Sequence, residues 1–123
     1  MQIRNSYLYI PVSNLIRSSN WYCEHLGFKV HYEDSLFMEL RTETGVRTIL
    51  ISNENGITSH MNYQNGVQAA YGFIVSDIIT AYQNLVDKGI KVGQISEYAG
   101  KSFSFQDIDG NVLEFWSDYL QPL

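Results

Sequence analysis

"VSNLIRSSNWYCEHLGFKV", residues 12–30, is followed 63 residues further on by "VSDIITAYQNLVDKGIKV", residues 75–92. Both run from a valine that ends a strand signal, through a capped helix, to a glycine and a second strand entry. Asn14 and Asp77 stand at the two helix starts, where a short side-chain oxygen accepts from an unpaired first-turn N–H. Behind them Leu15, Ser18, Ser19 and Tyr22 match Ile78, Ala81, Tyr82 and Leu85, the spacing of one helix face. Gly27 and Gly89 tolerate the positive φ that closes a helix, and the second copy is one residue shorter here.

The correspondence continues downstream. "LRTETGVRTILI" (40–51) lies over "FQDIDGNVLEFW" (105–116), which sets Gly45 on Gly110 and predicts a hairpin in each half. Each half then reads strand, helix, strand, strand, strand. The predicted strands are 6–12, 28–33, 36–41 and 46–52 around a helix at 14–26, then 69–75, 90–96, 101–107 and 111–117 around a helix at 77–88. The fold class is α+β: two βαβββ modules forming a curled mixed β-sheet half-barrel with a concave cavity and the helices outside. The modules cover 1–53 and 68–123, and a polar, Asn/Gly-rich linker at 54–67 joins them into a single domain, 1–123.

With 123 residues, 45% hydrophobic and 14% aromatic, the chain has enough apolar mass for one shared core. A net charge of -5 argues against nucleic acid or an anionic membrane as partner, since both need a basic face. No signal peptide and no apolar run approaching ~18 residues is seen, so a cytoplasmic location is expected. The single cysteine, Cys23, has no basic neighbour in sequence to lower its pKa and reads as an inert thiol. His25, His31 and His60 lack metal-ligand spacing, and His25 suits a helix C-terminus as a dipole partner.

The βαβββ repeat, the phrase "VSNLIRSSNWYCEHLGF" and the ending "FQDIDGNVLEFW" together resemble the vicinal oxygen chelate superfamily. That group includes glyoxalase I, extradiol dioxygenases, fosfomycin resistance proteins and bleomycin resistance proteins, and the resemblance covers nearly the whole chain. It implies where metal ligands stand in metal-using members. They lie five residues before the valine that ends each half's first strand, and four after each hairpin glycine. Those places hold Tyr7, Ala70, Ile49 and Glu114 here. A protonated tyrosine is a poor ligand, alanine and isoleucine are none, and a divalent cation needs several protein donors. No metal and no cofactor are therefore expected, which is nearest in kind to metal-free bleomycin-resistance-like members. The resemblance also implies a homodimer.

Strand alternation puts Tyr7, Tyr9 and Pro11 in the hollow, with Val112, Glu114 and Trp116 on the last strand and Arg47, Ile49 and Ile51 on its mirror. Hairpins closing in register add Met38, Phe103 and Phe105; a bulge reverses them. The candidate ligand-binding residues are thus Glu114, Tyr7, Tyr9, Trp116, Arg47, Met38, Phe103 and Phe105, and none is assigned to catalysis. Glu114 has three open roles. It is a relic bonded to Tyr7, Tyr9 or Arg47, an anchor for a cationic or hydrogen-bond-donating ligand, or the base of a metal-free isomerisation. The functional expectation is metal-independent binding of a small molecule, sequestering an antibiotic or aromatic metabolite. The alternative is a metal-dependent lyase, isomerase or thiol transferase of the glyoxalase I or fosfomycin resistance kind, drawing donors from loops or a partner chain. A third is a domain whose surface serves association.

Overall fold

Helix α1 spans Leu15–Leu26 and helix α2 spans Ile78–Asp87 in a computed structural model that describes residues 1–64 and 66–120. Asn14 Oδ1 accepts from the Arg17 N–H at 2.9 Å, and Asp77 Oδ1 accepts from the Thr80 N–H at 3.0 Å, so both caps close the same orphan donor. Gly27, at φ 75°, sends its N–H back to the Tyr22 carbonyl and ends α1 in the left-handed conformation. The inward stripes follow the repeat: Ser18, Ser19 and Tyr22 are buried on α1, Ile78 and Leu85 on α2.

The chain divides into two units, Met1–Thr58 and Ser59–Leu123. In the first, α1 follows strand β1 (Leu8–Val12) and precedes β2 (Lys29–Glu33), β3 (Phe37–Arg41) and β4 (Arg47–Ser52). Their order across the sheet is β1-β4-β3-β2, with β1 parallel to β4 and the rest antiparallel. The second unit opens with a small hairpin, β5 (Met61–Tyr63) and β6 (Gly66–Gln68). It continues with β7 (Tyr71–Ile74), α2, β8 (Ser96–Glu97), β9 (Lys101–Gln106) and β10 (Val112–Trp116). Its main sheet has the matching order β7-β10-β9-β8, with β7 parallel to β10. Both units are open mixed sheets bearing one helix, the α+β, βαβββ arrangement read from the repeat. Among the described residues no helix is long and apolar enough to cross a membrane.

Two expectations need correction. The stretch 54–67 is not all linker, since Met61–Tyr63 pairs with Gly66–Gln68; the side chains are exposed, so the hairpin leaves no core signature in the sequence. The strand expected at 90–96 shrinks to one bridge, Val92 to Phe105, and the two residues of β8. Three residues on that side face two on β9 between the Val92–Phe105 and Ser96–Ser102 pairs, so the ladder is bulged. Gly93 sits in this gap, where a Cβ would lie 2.7 Å from Ser104 Oγ. The first unit bulges at the equivalent place, between Val30 and Tyr32.

The two hairpin glycines do the same work. Gly45 (φ 93°) donates to the Thr42 carbonyl and Gly110 (φ 87°) to the Asp107 carbonyl, both at 3.1 Å. The second turn carries a buried polar latch. Asp107 Oδ1 accepts from the N–H groups of Asp109 and Asn111, each at 2.9 Å, and Asn111 Nδ2 donates to Asp107 Oδ2 at 2.8 Å. Asn111 Oδ1 then accepts from the Ser59 N–H at 2.7 Å, and the Val112 N–H donates to the Ser59 carbonyl at 3.1 Å. The "DIDGN" turn thereby ties the start of the second unit to β10.

Candidate functional site

In each sheet, side chains at paired positions share a face. In the second unit Leu113 pairs with Phe105 and Tyr71, and Phe115 with Phe103 and Phe73. This face is covered by α2: Phe103 meets Tyr82 edge to face at 5.1 Å, and Phe105 lies 4.6 Å from Phe115 between ring centres. The opposite, open face carries Glu114 between Gly72 and Ser104, then Trp116 between Ile74 and Ser102. In the first unit Met38 pairs with Leu50 and Leu40 with Thr48 on the α1 side. The open face there holds Tyr9, Ile49 and Glu39, flanked by Arg47 and Arg41.

The register therefore corrects three of the candidates. Met38, Phe103 and Phe105 are core residues, 4%, 2% and 1% exposed, and face the helices. Their places on the open faces go to Glu39, Ser102 and Ser104. Glu114 and Trp116 share the open face of the second sheet as expected; Tyr9 and Arg47 lie on that of the first, and Tyr7, just before β1, meets Tyr9 edge to face at 5.3 Å.

Arg47, one of the three candidate partners of Glu114, is taken by Glu39. Its Nε and Nη2 donate to Glu39 at 2.8 and 3.1 Å, and Arg41 Nε donates at 2.6 Å. Glu39 is 8% exposed, and these guanidinium bonds, Arg47 first, hold its carboxyl down at about 2 against the desolvation that opposes them. The unfolded chain binds that proton more tightly, so this stabilisation is full above the ordinary value of 4.5 and is lost as the pH falls through about 2. Glu39→Gln is expected to lower Tm by about 3–6 °C at pH 7, with the gap to the parent closing over that acid window in a series of thermal melts.

Glu114 is the reverse case. Burial raises its carboxyl above the ordinary range, and no hydrogen bond or ion pair reaches it from another described residue. Here the folded state holds the proton more tightly, so the penalty is absent below about 4.5 and grows as the pH rises through the shifted value. Glu114→Gln is expected to raise Tm at pH 7 by on the order of 1–2 °C in ligand-free protein, and to leave it unchanged near pH 3.

Glu114 borders two cavities. One, of about 200 Å³, is lined by Gln68, Gln94, Ser96, Ser102 and Ser104 besides the acid. The other, of about 290 Å³, is lined by Gly72, Phe73, Ile74, Trp116 and Glu114. The Trp116 indole is fixed, since its Nε1–H donates to the Ala99 carbonyl at 2.8 Å.

The donor set does not fit a divalent cation. Of the four positions implied as metal ligands, only Glu114 carries a carboxylate, and its open-face neighbours are glycine and serine. No group of three His, Cys, Asp or Glu side chains placed to hold a metal occurs among the described residues.

Comparison with known proteins agrees with the topology. The chain is 27% identical over 117 residues to catechol-2,3-dioxygenase of Bacillus subtilis (strain 168), covering 91% of this chain but only 40% of that relative. The solved bleomycin resistance determinant encoded on transposon Tn5 superposes with a TM-score of 0.73 at 15% identity, over 96% of this chain and 100% of that one. An antibiotic-binding protein from Streptomyces sp. CB03234 superposes with a TM-score of 0.72 at 17% identity, over 94% and 97% of the two chains. At such identities the two structures speak for the fold. The family itself is given by residues 4–115, which match the model of the Glyoxalase/Bleomycin resistance protein/Dioxygenase superfamily, and the chain belongs to that superfamily.

Proposed function

We propose that this protein binds a small organic molecule without a metal, on the open face that carries Glu114 and Trp116, and sequesters an antibiotic or an aromatic metabolite. The two units act as a single domain in this reading, and the working form is a cytoplasmic homodimer. Tyr7, Tyr9 and Arg47 belong to the same proposal as the open-face residues of the first sheet. The observation that carries it is a partly buried acid, paired with no other described residue, standing between two cavities where a metal-binding relative would need further donors. Such an acid costs stability unless something occupies the site. The fold shared with a bleomycin resistance determinant and an antibiotic-binding protein supports the reading.

A thermal-shift panel of antibiotics and aromatic metabolites tests it. At least one class is expected to raise Tm, and Glu114→Gln to diminish that rise; a panel that moves nothing overturns the proposal. A second reading, a metal-using enzyme, is favoured by the likeness to a catechol dioxygenase. It requires donors beyond Tyr7, Ile49, Ala70 and Glu114. Near-stoichiometric transition metal in protein purified without a metal-affinity tag decides for it.

A further inference from the structure

The chemistry on the two sides of Glu114 differs, and the carboxylate is the wall they share. In the polar cavity the side chains of Gln68, Gln94 and Ser104 make no hydrogen bond to another described residue. Ser96 and Ser102 meet hydroxyl to hydroxyl at 3.3 Å, which leaves each with unused lone pairs. Hydroxyls and amides donate and accept alike, so this wall matches a group that does both, as a polyol does. The other cavity offers Ile74, Gly72 and the indole of Trp116, held by its bond to Ala99 and by the Tyr119 ring at 4.9 Å. No described cationic side chain pairs with Glu114.

We propose that this site takes an ammonium ligand of two parts. Its nitrogen sits on Glu114, a hydroxyl-rich group fills the serine and glutamine cavity, and a planar apolar group lies against Trp116 and Ile74. An N-substituted amino sugar has this chemistry. The ammonium N–H to carboxylate bond is charge-assisted, and the cation also lies beside an indole. An anionic ligand meets like charge at the same point. The inference rests on the binding reading above and names its ligand class.

Isothermal titration of the full chain with N-benzylglucosamine, benzyl glucoside and benzyl glucuronide tests it. Each joins a pyranose to a benzyl group, and they differ in charge as well as in the atom that carries the benzyl group. The amine is expected to bind about tenfold tighter than the neutral glucoside, the difference between a charged and a neutral hydrogen bond. Glu114→Gln, shown folded by its melt, is expected to erase that preference, and Ser104→Ala to weaken both sugars alike. Equal binding of amine and glucoside, or a preference that survives Glu114→Gln, overturns the ligand class and leaves small-molecule binding intact. Silence of all three probes while other panel compounds bind does the same. Silence of probes and panel together overturns both.

Discussion

Asn111→Ala is expected to lower Tm by about 10 °C. Asn111 is fully buried, and its amide holds both ends of the latch. Truncation removes the bond from Nδ2 to Asp107 and the bond from the Ser59 N–H to Oδ1. Asp107, only 6% exposed, then loses a donor, and the Ser59 N–H loses its acceptor. Two polar groups losing buried partners, one of them charged, cost about 3 kcal/mol, of which each degree of Tm represents a few tenths in a chain of this size. Chemical denaturation should give a lower midpoint with an unchanged slope. Amide exchange should show Ser59 losing protection first, because the fault lies where the second unit is tied to β10. A melt within about 2 °C of the parent would mean the latch is ornamental.

Gly72→Ala comes second. Glycine is needed here because β7 runs so close to β10 that a Cβ would collide with the Glu114 carbonyl oxygen and lie 3.0 Å from its carbon and 3.1 Å from the Glu114 Cβ. The obstacle is the backbone of a paired strand, which cannot swing aside as a flexible side chain does. Overpacking of this kind costs about 2–3 kcal/mol. The strands must part locally, so exchange at the Val75 N–H, which donates to the Trp116 carbonyl at 2.9 Å, should speed up. The substitution also disturbs the wall of the apolar cavity, and binding should weaken along with stability. A stable Gly72→Ala protein with parental exchange would show that β7 and β10 leave room for a methyl group.

Much of the fold was legible because a duplicated sequence states each element twice. Asn14 and Asp77 cap as their spacing says, and Gly45 and Gly110 close equivalent turns. The site was less legible. Met38, Phe103 and Phe105 reach the open faces only if the hairpins invert the alternation of the last strands; the pairing keeps it, setting Ser104 opposite Glu114 and Glu39 opposite Ile49. "MELR" and "SFSF" held the better signal: apolar residues alternate with Glu39, Arg41, Ser102 and Ser104, and the apolar set is the one that packs on a helix. Reading polarity within each strand would have found the Glu39 cluster and the serine row. The hairpin at Met61–Tyr63 and Gly66–Gln68 left no such trace, because both its faces are exposed and its pairing is in the backbone.

In the proposed function Glu114 serves an organic ligand and not an ion. The direct measurement is a titration of N-benzylglucosamine, or of whichever compound gives the largest thermal shift, into chelator-treated protein, repeated after adding back Mn²⁺, Zn²⁺ or Fe²⁺. The same affinity is expected in every arm, with Glu114→Gln weakening all of them equally. Binding that appears only once a metal is restored, and that needs Glu114 to do so, would contradict it.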